Sequence, residues 1–302
     1  MQRFSNPNSI LAFVTVAREG NVSRAAEVLN LTQPAISHQI RRLSEETEIT
    51  LFRRTPHGLD LTPDGKALLP KAEHVLNAMI EFRQSANRQA GLVSGTLRIG
   101  TIVDPEFIRL GRLLSRLGDA HPGITTELVH GISGEILERL KRRQIDAGYY
   151  LTAPEEVDNI PSEEAVHVRV LAKFNYCVIA PAGWEARVGS AAWEELAPLP
   201  WIGTTSVSVH NRLLSRIFAE RGCTQNTVAL VDHEASMLEM VRSGVGLSLC
   251  RESIALDQRQ SFGLSMCENL RVPACLVMLA LDARKEAPVI AALFDQLETV
   301  WH

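Results

Sequence analysis

Gln33, Ser37, His38 and Arg41 carry the most specific chemistry in this 302-residue chain. Their spacings of four, one and three place them on one face of a helix. A glutamine offers the donor–acceptor pair that matches the adenine edge in a DNA major groove, whereas serine and histidine are more permissive. Arg41, Arg42, Arg53 and Arg54 suit phosphate contacts, which position a protein on DNA without reading its sequence. Such a face needs a support that aims it outward. Residues 22–43 provide one as two short helices with a tight turn. Ala25, Ala26 and Leu29 form the inner face of the first helix, and Ala35, Ile36, Ile40 and Leu43 that of the second. Ser23 and Thr32 are the expected helix caps. Pro34 sits in a first turn, where it sacrifices no hydrogen bond. This is the layout of a helix-turn-helix. The candidate DNA contacts are Ser23, Arg24, Thr32, Gln33, Pro34, Ser37, His38, Arg41, Arg53 and Arg54. The competing reading is an ordinary solvated polar face.

The flanking residues weigh against that alternative. The segment resembles the DNA-binding domain of LysR-type transcriptional regulators. The match runs through Leu11, Phe13, Val14, Ser23, Ala25-Ala26, Leu29, Thr32-Gln33-Pro34-Ala35-Ile36-Ser37, Gln39-Ile40, Leu43, Leu51-Phe52, Arg53-Arg54, Leu61-Thr62 and Gly65. Two positions depart from it: Ser44 stands where the family has Glu, and Glu48 where it has Gly. A non-glycine residue resists positive φ, so the end of the recognition helix and its exit turn are expected to be atypical. The resemblance implies a winged helix-turn-helix, a long linker helix and a two-lobed α/β regulatory domain resembling periplasmic binding proteins. It also implies a homotetramer built as a dimer of dimers and a small-molecule effector bound between the lobes. Peroxide-sensing relatives carry their reactive cysteine in the region matching Thr204–His210, where this chain has none.

Composition agrees with such a division. Residues 1–90 carry eleven Lys/Arg against nine Asp/Glu, and the remainder twenty against twenty-six. A DNA-binding module joined to a regulatory one produces that asymmetry. Five scattered cysteines, with no Cys-x-x-Cys and no zinc spacing, read as reduced packing residues. There is no apolar segment of export type near Arg3 and none of membrane-spanning length, so the expected location is the cytoplasm.

The first helix is expected from Pro7, burying Ile10, Phe13, Val14 and Ala17. Leu51–Thr55 and Gly58–Thr62 read as a two-stranded wing. Thr62-Pro63-Asp64 starts a helix, expected to run uninterrupted to about Gln89. Within it Leu68, Ala72, Val75, Met79, Phe82 and Ala86 repeat as a heptad seam, the expected homodimer contact. Packing within its own domain is the alternative. The boundaries are thus 1–62 for the DNA-binding domain, 63–90 for the linker helix and 91–302 for the regulatory domain.

From Thr96 strand and helix alternate, implying a parallel-type sheet with helices on both faces. The resemblance implies two such subdomains joined by two crossovers, placed near Val168–Leu171 and Leu270–Pro273, which would divide the domain into lobe I, about 96–168 and 274–302, and lobe II, about 169–273. Ligands of open α/β sheets bind beyond the carboxyl ends of the strands. The candidate effector residues there are Thr101, Ile102, Val103, Ile132, Ser133, Tyr149, Thr204 and Thr205. Ser133 and the Ser206–Ser208 stretch open helices, where free amides favour an anion, so a small carboxylate is expected. Equally, these hydroxyls would only cap helices, and Asp104 opposes an anion. Tyr149 and Tyr150 line the cleft or pack. Gly244-Val245-Gly246 lacks the rest of a dinucleotide site, and there is no Gly-x-Ser-x-Gly elbow. No enzyme, cofactor or metal is therefore expected. The rivals are an effector-independent architectural DNA-binding protein and, more remotely, an enzyme fused to a DNA-binding domain.

Overall fold

The computed structural model describes residues 6–55, 58–88, 93–102 and 104–301; the side chains at 54, 55, 58, 77, 80, 81 and 83–88 lie outside that description. The chain forms two compact units, Met1–Ala90 and Gly91–His302.

The first unit contains helices α1 (Pro7–Glu19), α2 (Val22–Val28) and α3 (Gln33–Thr47), the hairpin β1 (Phe52–Thr55) and β2 (Gly58–Leu61), and helix α4 (Pro63–Arg88). Asn21 caps α2 by accepting from the Ser23 amide at 2.7 Å, so Ser23 is not the cap that the sequence suggests. It is the second residue of the helix, within its first turn. Thr32 does cap α3, accepting from the Ala35 amide at 3.4 Å. Asn30 turns the chain between the two helices at φ 51°, a left-handed conformation that asparagine tolerates. Ala12, Val16, Ala25, Ala26 and Ile36 form one core cluster, and Phe13, Val14, Leu43, Leu51 and Ala72 another. Helix α1 thus buries Ala12 and Val16 in place of Ile10 and Ala17, which are only partly covered. It packs against α2 and α3 on one side and α4 on the other, so its apolar face is wider than a single stripe.

Glu48 ends α3 at φ 58°, ψ 25°. The exit turn therefore keeps the left-handed shape a glycine would give it, contrary to expectation. A β-carbon on Gly65 would stand 2.2 Å from the Leu51 carbonyl oxygen, which explains glycine where α4 crosses the hairpin. Pro70 lies inside α4, so the helix is not free of proline. It removes the amide that would bond the Lys66 carbonyl.

The second unit is built on a seven-stranded mixed sheet and a separate two-stranded parallel one, rather than on a wholly parallel-type sheet as expected. In chain order its elements are β3 (Ser94–Thr101), α5 (Leu110–Ala120), β4 (Gly123–His130), α6 (Ser133–Lys141), β5 (Ala147–Thr152) and β6 (Val166–Ala180). Next come α7 (Glu185–Val188), α8 (Trp193–Leu196), β7 (Trp201–Gly203), α9 (Val209–Glu220), β8 (Thr227–Leu230) and α10 (Glu234–Arg242). The chain then forms β9 (Ser248–Arg251), α11 (Glu252–Phe262), β10 (Ser265–Met266), β11 (Val272–Leu281) and α12 (Pro288–Trp301). The sheet order is β10-β6-β11-β5-β3-β4, with β9 also on β6. Strands β3, β4 and β5 are parallel to their neighbours among themselves, whereas β11 runs antiparallel to both β5 and β6. The two crossovers are a single antiparallel ribbon, β6 on β11, from Val166↔Leu281 to Tyr176↔Val272. Val168–Leu171 lies well inside it. The hand-over between lobes falls at Tyr176, which faces Val272 on one side and Arg251 on the other. Helix α5 starts at Leu110 because Arg109 takes φ 51° immediately before it. The Arg109 guanidinium lies over the Trp301 ring at 4.4 Å and donates to the Val300 carbonyl at 2.7 Å, tying α5 to α12.

Candidate functional site

In the first unit, Gln33, Pro34, Ser37, His38 and Arg41 are all exposed on α3, while Ile36 and Leu43 of the same helix are buried. The helix period produces that separation. The Gln33 side-chain amide donates to the Ser23 hydroxyl at 2.5 Å, fixing the start of α3 against α2. Thr32 and Arg24 are exposed as well, and Arg24 lies 3.4 Å from Glu19. Arg42 is paired with Glu46 one turn on. Arg53 stands on β1 opposite Asp60, 3.8 Å from its carboxylate. At that separation and exposure an ion pair contributes little, so a phosphate can displace it. Arg54 is on the same strand opposite Leu59, its side chain outside the description.

The heptad seam of α4 divides in two. Leu68 and Ala72 pack on Leu51, Leu61 and Phe13 of their own unit, because the hairpin and α1 cover the start of α4. Val75 and Met79 are a little over 40% exposed and Phe82 is 78% exposed. The Ala86 side chain is outside the description.

The second unit contains a cleft with about 560 Å³ of empty space, part of it open to solvent. From the β3–β5 side it is lined by Ile102, Ile132, Ser133 and Leu151, and from the β7–β9 side by Thr204, Ser208, Val209 and His210. Asp232, Glu234, Met237 and Arg251 complete it around Tyr176. Of the residues expected here, Ile102, Ile132, Ser133 and Thr204 line the cleft. Thr101 does not: strand alternation turns it away from Ile102, and its hydroxyl sits 3.5 Å from the Val129 carbonyl oxygen and 3.4 Å from His130 Nδ1. Thr205 is exposed beside the cleft. Tyr149 is wholly buried in the core with its hydroxyl unpartnered. Burial drives its pKa far upward. Tyr150 also packs, beneath the Arg212 guanidinium. Strand β5 is covered on both faces, which leaves neither tyrosine an outlet. Val103 lies outside the described residues.

The Ser133 hydroxyl accepts from the Leu151 amide at 3.1 Å and keeps its proton to donate. The Thr204 hydroxyl is buried without a partner. Ser208 caps α9 by accepting from the His210 amide at 3.2 Å. At the floor, Arg251 is 5% exposed. It donates to Asp104 at 2.8 Å and to Glu234 at 3.3 Å, and lies over the Phe107 ring at 4.2 Å. Burial raises the Asp104 pKa, but the Arg251 hydrogen bond and the amides of Glu106 and Phe107 outweigh it and hold the carboxyl below its usual range. His210 stacks edge-on against Tyr176 at 4.6 Å. Desolvation, with the Arg251 charge, depresses its pKa to about 4, so the imidazole is neutral.

Arg251, Glu234, Asp232 and His210 were not among the expected site residues. The strand-end rule that locates Ser133 and Thr204 applies equally to the ends of β8 and β9, where Asp232 and Arg251 lie. Gly134 is a further one. Its amide donates to the Val207 carbonyl at 3.2 Å across the mouth of the cleft. A β-carbon there would stand 2.6 Å from both Val207 Cβ and its carbonyl oxygen.

A helix-turn-helix with a wing, followed by two α/β lobes around a cleft, defines a ligand-responsive DNA-binding regulator. Residues 7–66 match the bacterial regulatory helix-turn-helix protein model of the lysR family, and residues 90–301 the LysR substrate binding domain. The chain belongs to the LysR family of transcriptional regulators. It is 28% identical over 293 residues to the uncharacterized HTH-type transcriptional regulator YvbU of Bacillus subtilis, covering 94% of each chain. It is 28% identical over 250 residues to the HTH-type transcriptional activator CmpR of Synechocystis, covering 81% of this chain and 79% of that one. Among solved structures, full-length CbnR complexed with its target DNA superposes with a TM-score of 0.60 at 19% identity, over 98% of this chain and 99% of that one. A full-length OxyR variant from Pseudomonas aeruginosa gives 0.70 at 20% identity, over 98% and 95%. These two likenesses concern the fold.

Proposed function

We propose that α3 reads operator bases through Gln33, Ser37 and His38, with Pro34 beside them. Arg41, Arg53 and Arg54 hold the phosphates, and Ser23, Arg24 and Thr32 hold the start of the helix against the backbone. The observation that supports this is the polar exposed face of α3 opposite a buried Ile36–Leu43 face, with Arg53 on the neighbouring hairpin. The effector binds in the cleft at Ser133, Thr204, Ile102 and Ile132. Its reach extends to Arg251 and Glu234, and it biases the two lobes toward one arrangement through unequal affinity for the two. The exposed Val75, Met79 and Phe82 pair with a second copy, and dimers assemble into tetramers, as the family relationship favours. Among the described residues no helix is long and apolar enough to cross a membrane, and no group of His, Cys, Asp and Glu could hold a metal. The relatives are regulators, so the reading is a cytoplasmic, non-catalytic one.

The test is operator selection from random-sequence DNA followed by titrations with Gln33→Ala and Arg53→Ala. Gln33→Ala is expected to lose discrimination by about 1–3 kcal/mol, roughly 5- to 150-fold, as a base contact does. Arg53→Ala is expected to weaken all DNA alike and to flatten the salt dependence by about one phosphate's worth. Equal effects of both variants on selected and unselected DNA would refute the division of roles.

A further inference from the structure

The cleft of the regulatory unit is polar in a directional sense, and its charges do not suit the bare carboxylate that the helix starts suggest. Arg251 is the cation that faces the cleft, yet its guanidinium is already committed to Asp104, Glu234 and the face of Phe107. It is 5% exposed. It serves as a strut, not as an open anion receptor. Of the ionisable groups that line the cleft, Asp232 and Glu234 are carboxylates and Arg251 is the arginine, beside two histidines, His233 and the neutral His210; Asp104 adds a further carboxylate on Arg251. A ligand that brings only negative charge meets repulsion there. A ligand that brings only positive charge leaves the other end unused. At that end the Thr204 hydroxyl is buried and unpartnered, and an unsatisfied buried hydroxyl is costly unless a ligand completes it. Ser133 retains a proton to give. Ser133 opens α6, where Glu135 already accepts from the Ile132 amide at 3.3 Å, and Thr204 precedes the start of α9, capped by Ser208, where the dipole favours negative charge. At the acidic end Glu234 engages Arg251 through Oε2, and its second oxygen remains a potential acceptor. Asp232 stands exposed at the rim. Between the two ends the wall is aliphatic, from Ile102, Ile132, Leu151, Val209 and Met237.

We infer that the ligand is a small zwitterion of the α-amino-acid type with a straight aliphatic side chain. Its carboxylate faces Thr204 and Ser133, its ammonium faces Glu234 and Asp232, and its side chain lies on the aliphatic wall. This rests on the cleft being the effector site.

Three probes of matched carbon skeleton separate the possibilities: L-norleucine, hexanoate and n-pentylamine. Calorimetric titration and thermal shift are carried out on the full-length chain. L-norleucine is expected to bind at least ten-fold tighter than either single-charge probe. Thr204→Val is expected to weaken it about 10- to 100-fold, the loss typical of a hydrogen bond to a charged group. Its ligand-free melting midpoint should match the parent, which separates lost binding from lost folding. Glu234→Gln is expected to weaken L-norleucine while improving hexanoate, a reversal that simple destabilisation does not produce. Hexanoate or pentylamine binding as tightly as L-norleucine would overturn the zwitterion. If Thr204→Val also abolished that binding, the cleft would still stand as the site. Failure of all three probes at millimolar concentration would likewise overturn the inference, and a small metabolite from a library that raised the melting midpoint of the parent but not of Thr204→Val would then still keep the cleft as the site.

Discussion

Single residues in this chain carry strain and charge that can be measured directly. Glu48 holds φ 58° at the end of α3, a conformation that costs an L-residue roughly 1–2 kcal/mol. Glycine removes that strain but loses more backbone freedom on folding, by about 0.5–1 kcal/mol. Glu48→Gly is therefore expected to stabilise the first unit by about 0.5–1 kcal/mol, seen as a rise of a few degrees in its melting midpoint. A lower midpoint would mean that the glutamate side chain contributes more than its backbone costs. His210 gives a pH signature. In the folded protein it stays neutral down to about 4, against 6.5 for the ordinary imidazole. Between those values the unfolded chain binds the extra proton, so stability is full above about pH 6.5 and falls as pH drops toward 4. The loss attributable to this group is on the order of 3 kcal/mol at most. His210→Gln is expected to flatten the pH dependence of the second unit's unfolding free energy over that window. An unchanged slope would show that His210 is not the group responsible.

At the scale of elements, helix α4 offers the sharpest test. Val75 and Met79 are exposed within one chain, while Leu68 and Ala72 are taken up by the chain's own core. A charge at Val75 or Met79 therefore leaves the unit folded but places an unpaired carboxylate in any apolar seam with a second copy. Val75→Asp is expected to halve the assembly in sedimentation, tetramer to dimer or dimer to monomer, with its helical content unchanged. A variant that kept the parent's assembly would sink the seam. How legible such elements were in the sequence depended on local signals. Helices α1 to α4 and the hairpin were readable because caps, prolines and apolar spacing lie within a few residues of one another. Only Tyr176–Ala180 of β6 reads as strand. The part of β6 before Tyr176 carries Arg169, Lys173 and Asn175, which mask the pattern, and its partner β11 lies roughly a hundred residues away with no hairpin turn between them. The ribbon and the mixed sheet were hidden for that reason. Helix α11 leaves little apolar signal in the sequence, because its buried residues are Ala255 and the polar Gln258. Ser133 and Thr204 could be placed from strand ends. Arg251 could not be distinguished from a surface arginine until β9 brought it to Asp104 and Glu234.

For the molecule as a whole, the regulatory unit has to convert ligand chemistry into a change of shape, and the contacts between its lobes determine how. Among the described residues, the polar contacts that tie the two sides together include Gly134 to the Val207 carbonyl, Arg212 to the Leu151 carbonyl at 2.8 Å, Arg216 to Glu155 and Glu156, and Arg251 to Asp104. Three are arginine contacts on long side chains that can follow a moving lobe. The Gly134 contact is backbone to backbone and tolerates no β-carbon, so it senses closure most directly. Replacing Gly134 by valine puts atoms where Val207 now stands, and the lobes are then expected to settle farther apart. The fold of each lobe should survive, since the clash lies between them. Ligand affinity should fall, because the closed arrangement that brings Ser133 and Thr204 to one ligand becomes costly to reach. Operator binding without ligand should persist, while its response to ligand disappears. The measurements are small-angle scattering of the free chain, calorimetric titration of the ligand, and operator shift with and without it. If Gly134→Val closed, bound ligand and responded like the parent, closure at Gly134 and Val207 would not be the motion that couples the cleft to DNA.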